Sequence, residues 1–514
     1  MSKKILIMLV AVVTGAFMAS VAMAVDYGDL GFNTRLLTSG KTAGTILNPE
    51  GKGDALIAAY YDVRVVNGKT QDTYFAIINK NMDNTTYSGV AATLRFREWD
   101  KSEEVFNIDI WMSNNDVWVG VLTRNPANGL TRITSPDNII IAYQPTFFTV
   151  SKTTALSTGM DFFTDWVPGG TFNSVSPPSG FTSADLTNMG YFEIIGEERT
   201  YSKPSTTAAP ILVSRFGGGN DCPNSLSAYV YIVRVDDGVS LGYNADAIAN
   251  FSRNQGSLWD LLPDLSNCED GLDQLEFELS KAEVYHGYSI EDNIFGKFSQ
   301  IVTFPTKHFH FEKHTPIRLD YTICTTVNSN CIAVGAPFTG DTANFGEVVA
   351  PTIYDRDETS FKPEAGFWSP PSPTISLPFE VNVIGLYKGT PPSVPLLGNR
   401  NNVGWTTAGF QTGWMWIDLY HNVNGTGVHM AVSRSGPEFG HLGNRIYGYT
   451  GMPALSLALQ EFSNANVGGA YGVIFPTLNE IDWLSRDAWC GELGLGWYDP
   501  SAGTCSWRNP FWEP

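Results

Sequence analysis

Apolar and polar residues alternate with a period of two through much of this chain, and turn residues interrupt the pattern about every 10 residues. A segment patterned this way buries one face as a β-strand and has no continuous helical stripe to bury. Ala55 to Val65 leads into Asn67-Gly68, a two-residue hairpin signal because both central positions of a type I′ turn need positive φ. Thr73 to Asn79 is the returning strand. Leu94 and Phe96 alternate with Thr93, Arg95 and Arg97; Phe106, Ile108, Ile110 and Met112 alternate with Asn107, Asp109 and Trp111. Each pattern predicts a strand with one wet face. Asn114-Asn115-Asp116 turns the chain into Val117 to Leu122. The fold class expected is all-β, as tandem antiparallel immunoglobulin-like β-sandwich domains with long loops.

Punctuation divides the chain. Ser202 to Pro210 (SKPSTTAAP) has the composition of a linker, giving one sandwich over 25–201 and a second β-rich domain over 211–514, with a further boundary near 390 suggested by Pro391-Pro392. Strands are predicted at Ser227 to Asp236, Gln300 to Glu312, Phe379 to Tyr387, Trp414 to His421 and Pro453 to Gln460. Leu275 to Tyr285 fits either a short helix or a strand.

Lys3 and Lys4, the apolar run Ile5 to Val13 and Ala22-Met23-Ala24 form the three parts of a secretory signal peptide over 1–24. The expectation is an exported protein, at the cell surface, outside the cell or in the periplasm. The sequence after residue 24 lacks the roughly 20-residue apolar stretch of a membrane helix. Six cysteines suit an oxidising compartment, and proximity favours Cys222 with Cys268, Cys324 with Cys331, and Cys490 with Cys505. With 32 basic against 52 acidic side chains the formal charge is −20, which argues against nucleic acid and anionic lipid as partners.

Tyr60 to Arg64, the stretch from Leu94 to Val119 with its Arg-Phe-Arg-Glu and Asp-Val-Trp pieces, and Thr303 to Lys307 resemble a group of secreted, β-rich cell-surface proteins of Gram-negative bacteria with no assigned chemistry. The resemblance implies export and β-structure and transfers no catalytic residue.

Two local patterns carry candidate chemistry. In His308-Phe309-His310-Phe311-Glu312-Lys313-His314 a strand would project His308, His310, Glu312 and His314 to one face. Imidazoles at i and i+2 can chelate zinc or copper, with a further ligand from a neighbouring strand. The alternative is a polar strand face beside a Phe-filled core. In Gly413 to His421, Met415, Ile417 and Leu419 alternate with Trp414, Trp416, Asp418 and Tyr420, so Trp414, Trp416 and Tyr420 form an aromatic stripe able to stack on sugar rings or fill a partner's groove. The alternative is a strand covered on both faces. Five of the 14 tryptophans lie from Trp483 onward, with Cys490 and Cys505, which suggests a small disulfide-closed lobe.

Other signals are weaker. Asp236-Asp237-Gly238 departs from the calcium-loop pattern and reads as a surface turn. Serine contexts such as Ser433 to Gly436 lack the flanking glycines of a nucleophile elbow. The expected function is therefore a non-enzymatic exported protein with a structural, adhesive or assembly role and no cofactor, whose partners are other surface proteins, itself or glycans. A carbohydrate- or ligand-binding module at Trp414, Trp416 and Tyr420 is the first alternative, and a metal-dependent enzyme at His308, His310 and Glu312 the second.

Overall fold

The computed structural model describes residues 46–144 except 67 and 82–87; 147–149; 154–163; 177–200; 212–215; 224–251 except 237 and 250; and 275, 278–281, 283–291 and 296–308. Beyond these it describes 322–324, 331–333, 347–355, 360–361, 375–387, 397, 402–406, 411–419, 430–434, 446–464, 469–476, 478–480, 498–499 and 504–505.

The chain is all-β, built from several antiparallel sheets packed face to face, with one parallel pairing among the described residues, between Val381–Tyr387 and Asn402–Thr406. A ten-stranded sheet is centred on Ala55–Asp62, Met189–Thr200, Gly89–Glu98 and Glu104–Ser113. A seven-stranded sheet centred on Val117–Arg124, Lys69–Asn79 and Leu226–Arg234 covers one of its faces. Phe75 of the second sheet lies 4.9 Å from Phe192 and 6.0 Å from Phe96 of the first, and Phe106 stacks on Phe162 at 4.9 Å. Large rigid rings close this interface at little entropy cost.

The tight turn at 67–68 forms, with Val66 opposite Lys69 and Gly68 at φ +73, but the two long strands predicted to pair across it do not. Ala55–Asp62 belongs to the ten-stranded sheet and Lys69–Asn79 to the seven-stranded one, so the turn carries the chain from one layer to the other. At the next turn Asn115 takes φ 58, while Asp116 accepts from the Ser113 backbone N–H and hydroxyl.

A five-stranded sheet, with Lys297–Thr303 paired between Val381–Tyr387 and Leu455–Asn464, is apolar on both faces. Ile301, Val381, Val383, Leu455, Leu457 and Leu459 extend the core of the first sandwich, while Phe298, Val302, Ile384, Leu386 and Ala458 belong to a second core. A six-stranded sheet, which includes Glu347–Asp355, Thr412–Asp418 and Glu283–Ser289, completes that second core with Ile353, Met415, Ile417, Val284 and Tyr288. Among the described residues the six-stranded sheet turns Val284, Tyr288, Ile353, Met415 and Ile417 toward that core.

Three sequence expectations meet a different arrangement. The predicted boundary Ser202 to Pro210 lies outside the described residues, but strand pairing crosses it. Met189–Thr200 pairs with Leu212–Arg215, Leu226–Arg234 pairs with Lys69–Asn79, and Asp246–Ala249 pairs with Ala55–Asp62. The first two sheets thus draw strands from both sides of it, and separate tandem sandwiches divided there do not describe their topology. Linker composition reports a surface connection, which can join two strands of one sheet as readily as two domains.

The predicted wet face of Leu94 to Arg97 is buried, as are all ten residues of Gly89–Glu98. Its polar side chains pair across strands, Arg97 Nε to Glu193 Oε1 at 2.6 Å and Arg95 to Glu104. The Thr93 hydroxyl lies 2.7 Å from both Asp109 Oδ1 and Glu197 Oε1. One hydroxyl proton serves one of these contacts at a time. Alternation predicted the two faces correctly, but pairing lets a charged face be buried.

The third difference concerns the strand predicted through His308 to Glu312, which ends at Thr303. Thr303 Oγ1 donates to the Ala59 carbonyl and Pro305 accepts from Tyr191, which turns the chain against the first sandwich. Among the described residues no helix is long and apolar enough to cross a membrane.

The turn after Gly89–Glu98 carries a pH-sensitive contact. Glu98 is buried and accepts the backbone N–H groups of Asp100, Lys101 and Glu103. Burial, then the Asp100 charge, push its carboxyl up to about 8 against the pull of those three donors, and burial pushes Asp100 up to about 6. The turn also ties layers together, since the Trp99 carbonyl accepts from Val381 N–H and its ring meets Phe379 edge-on at 4.6 Å. The folded chain holds these carboxyl protons more tightly than the unfolded chain. The resulting stabilisation is complete below the ordinary carboxylate range and is lost as pH rises through about 6 and then about 8. Melting followed by circular dichroism should therefore give a lower Tm at pH 9 than at pH 5, by several degrees or on the order of 2 kcal/mol, and Glu98→Gln should flatten the dependence. A Tm that rises over this range would refute the assignment.

Candidate aromatic binding site

The outward face of the six-stranded sheet gathers aromatic side chains from three strands. Trp414 and Trp416 alternate with the buried Met415 and Ile417, so both rings lie on the face turned away from the core. Register places Tyr354 and Gly287 on either side of Trp414, and Thr352 and Tyr285 on either side of Trp416. Tyr354 and Trp414 stack in parallel, centroids 3.9 Å apart and planes 9° from coincidence. The pair forms a rigid slab across two strands.

Beside that slab the sheet has a hollow. Gly287 has no side chain to fill it, and a Cβ there would meet only the Gly413 carbonyl oxygen, at 3.7 Å. Tyr285, Trp414, Trp416, Tyr354 and Glu283 surround it in a cleft of about 600 Å³, a volume typical of small-ligand sites. Trp414 is 37% exposed, and Tyr285, Trp416 and Tyr354 are half-buried. Beneath the floor His286 points inward, its ring 5.9 Å from Phe298 and its Nδ1 against the Gly287 carbonyl oxygen. Burial lowers its pKa, which keeps the imidazole neutral at physiological pH. It supports the floor and presents no charge to the cleft.

This geometry suits a flat, largely neutral ligand with apolar faces. Exposed rings held by packing on their inner edges lose little entropy when a ring-shaped partner stacks on them. The Trp416 indole Nε1 is buried without a hydrogen-bond partner among the described residues.

Of the aromatic stripe read from the sequence, Trp414 and Trp416 share this face, while Tyr420 lies outside the described residues. Tyr354 and Tyr285 escaped that reading. Tyr354 comes from a strand remote in sequence, and Glu283–Ser289 falls where the pattern fitted helix and strand equally. Its alternation of buried Val284, His286 and Tyr288 with Glu283, Tyr285 and Gly287 is the signal that identifies the strand.

The histidine cluster falls differently. His308 is buried at the end of the turn that follows Thr303, and His310, Glu312 and His314 lie outside the described residues. Strand alternation thus does not apply at His308. Among the described residues no group of three or more His, Cys, Asp or Glu is placed to hold a metal ion. Asp236 accepts the Thr70 N–H beside Gly238 at φ +70, consistent with a hairpin turn. Hairpin register sets Cys324 opposite Cys331, and Cys505 opposite Tyr498; Cys222, Cys268 and Cys490 lie outside the described residues.

No protein-family model, curated protein or solved structure matches the chain.

Proposed function

We propose that this chain is a non-enzymatic, exported binding protein that holds glycans on the outward face of its six-stranded sheet and serves an adhesive role at the cell surface. The observation that carries the reading is the Tyr354–Trp414 slab beside the Gly287 hollow, which offers a sugar ring both a stacking surface and room to lie on it. The N-terminal signal pattern supports export, and the acidic balance of the chain favours neutral or cationic partners.

Glycan-array screening of the exported protein, followed by calorimetry on the best ligand, tests this. Trp414→Ala should weaken binding about tenfold or more, because the ring supplies the stacking face. The same change should cost only about 1–2 kcal/mol of folding stability, the loss of a partly exposed ring stacked on Tyr354. Unchanged affinity in the Trp414→Ala protein, or no glycan bound by the unaltered protein, would remove the proposal.

A further inference from the structure

The seven-stranded sheet covers the first core with one face and turns the other outward. Register sets Val121, Tyr74 and Tyr231 side by side in one row of that outer face, and Val119, Ala76 and Tyr229 in the next. Val117 and Ile78 begin a third. Tyr74 is 39% exposed and Val117 45%, and the other six are half-buried. A sheet face in water is ordinarily polar, yet these rows carry no charge.

The charges stand at the two ends. Asp72 precedes Tyr74 by two residues and Lys80 follows Ile78 by two, which puts both on the outer side, about 27 Å apart. Burial, then the Asp236 charge, push the Asp72 carboxyl up, so one end holds two acids. At the other end burial, then the Lys52 charge, push the Lys80 amine down, while the Asp116 and Asp137 carboxylates accept the Ser113 and Val119 backbone N–H groups. Lys52 pairs with Glu50 at 3.5 Å, but among the described residues Asp72 and Lys80 have no ion-pair partner.

Thr131–Thr134, Val117–Arg124, Lys69–Asn79, Leu226–Arg234 and Val239–Asn244 stand side by side in this sheet. At about 4.8 Å per strand and 3.4 Å per residue, a face five strands wide and eight residues long offers roughly 650 Å² per copy, of the order of the ~800 Å² per partner in a standard interface. Copies with a charge of −20 repel through most of their surface, and least through a patch without charge.

We propose that this face packs against the same face of a second copy, across a two-fold axis that lies between the sheets and crosses the strands near Ala76. That operation reverses strand direction, so Asp72 of each copy lies over Lys80 of the other while the apolar rows close on one another. A two-fold along the strands would instead set Asp72 against Asp72. The small side chain of Ala76 at the pivot lets the sheets approach.

Sedimentation equilibrium on the full exported chain tests this, with melting by circular dichroism to verify that each variant folds. The unaltered chain should dimerise at micromolar concentration. Tyr74→Glu puts two carboxylates into the closed face and should weaken the dimer about a hundredfold or more. Asp72→Lys or Lys80→Asp alone should weaken it about tenfold, and the two together should restore it, because the exchanged charges meet again across the axis. A chain still monomeric at roughly 100 µM, including one whose outer face then takes a glycan, would overturn the proposal. So would a dimer indifferent to Tyr74→Glu, or one that the double exchange fails to restore.

Discussion

Arg97→Ala should destabilise the protein by about 3–5 kcal/mol, the cost of stranding one member of a buried ion pair. Arg97 Nε donates to Glu193 Oε1 at 2.6 Å, and Arg97 Nη1 donates to the Ser102 carbonyl at 2.8 Å. Both side chains are buried in the middle of the largest sheet, with Tyr191 opposite Arg97 and Arg95 opposite Glu193. Removing the guanidinium leaves Glu193 without this partner where water cannot replace it, and leaves the Ser102 turn, at φ 57, without its brace. Arg97→Lys keeps the charge but loses the fork that reaches both acceptors, so its cost should be smaller yet clear. Arg97→Met with Glu193→Leu removes both charges together and should recover much of the loss. Denaturant midpoints of the four proteins at fixed pH measure this. A double variant no more stable than Arg97→Ala would show that the pair is not what the site depends on.

Gly190→Ala should be comparably damaging for a steric reason. Gly190 is flanked by Tyr61 on one strand and Glu98 on the other, at a register shift in Met189–Thr200. A Cβ there would lie 1.9 Å from the Arg97 carbonyl oxygen and 2.9 Å from the Tyr61 ring. The first neighbour is backbone fixed in the sheet, so relief requires the strands to part, at about 3 kcal/mol or more. Gly287→Ala is the control, because its Cβ meets nothing closer than 3.7 Å. Equal midpoints for the two alanine variants would refute the close-approach argument.

The sequence by itself determined the local character of the fold. Alternation at Ala55, Leu94, Phe106 and Val117 marked strands, Asn67-Gly68 and Asn114-Asn115-Asp116 marked their turns, and together they established an all-β chain. These features are legible because pleat geometry and positive φ are properties of a few neighbouring residues. Trp414 and Trp416 were legible as one face of one strand for the same reason.

Which sheets cover which faces was decided only by the tertiary structure. Nothing local distinguishes Arg95 and Arg97 on a wet face from the same residues buried against Glu104 and Glu193, because the partners that make burial tolerable come from other strands. Strands on both sides of Ser202 to Pro210 share the first two sheets because pairing depends on long-range register, to which linker composition is blind. The cleft follows the same logic. Tyr354, Trp414 and Tyr285 are separated by scores of residues and meet only because three strands align, and the hollow exists because a glycine falls opposite a tryptophan in that alignment. Period-two patterning fixes which way a side chain points relative to its own strand, whereas burial and juxtaposition are fixed by what packs across it.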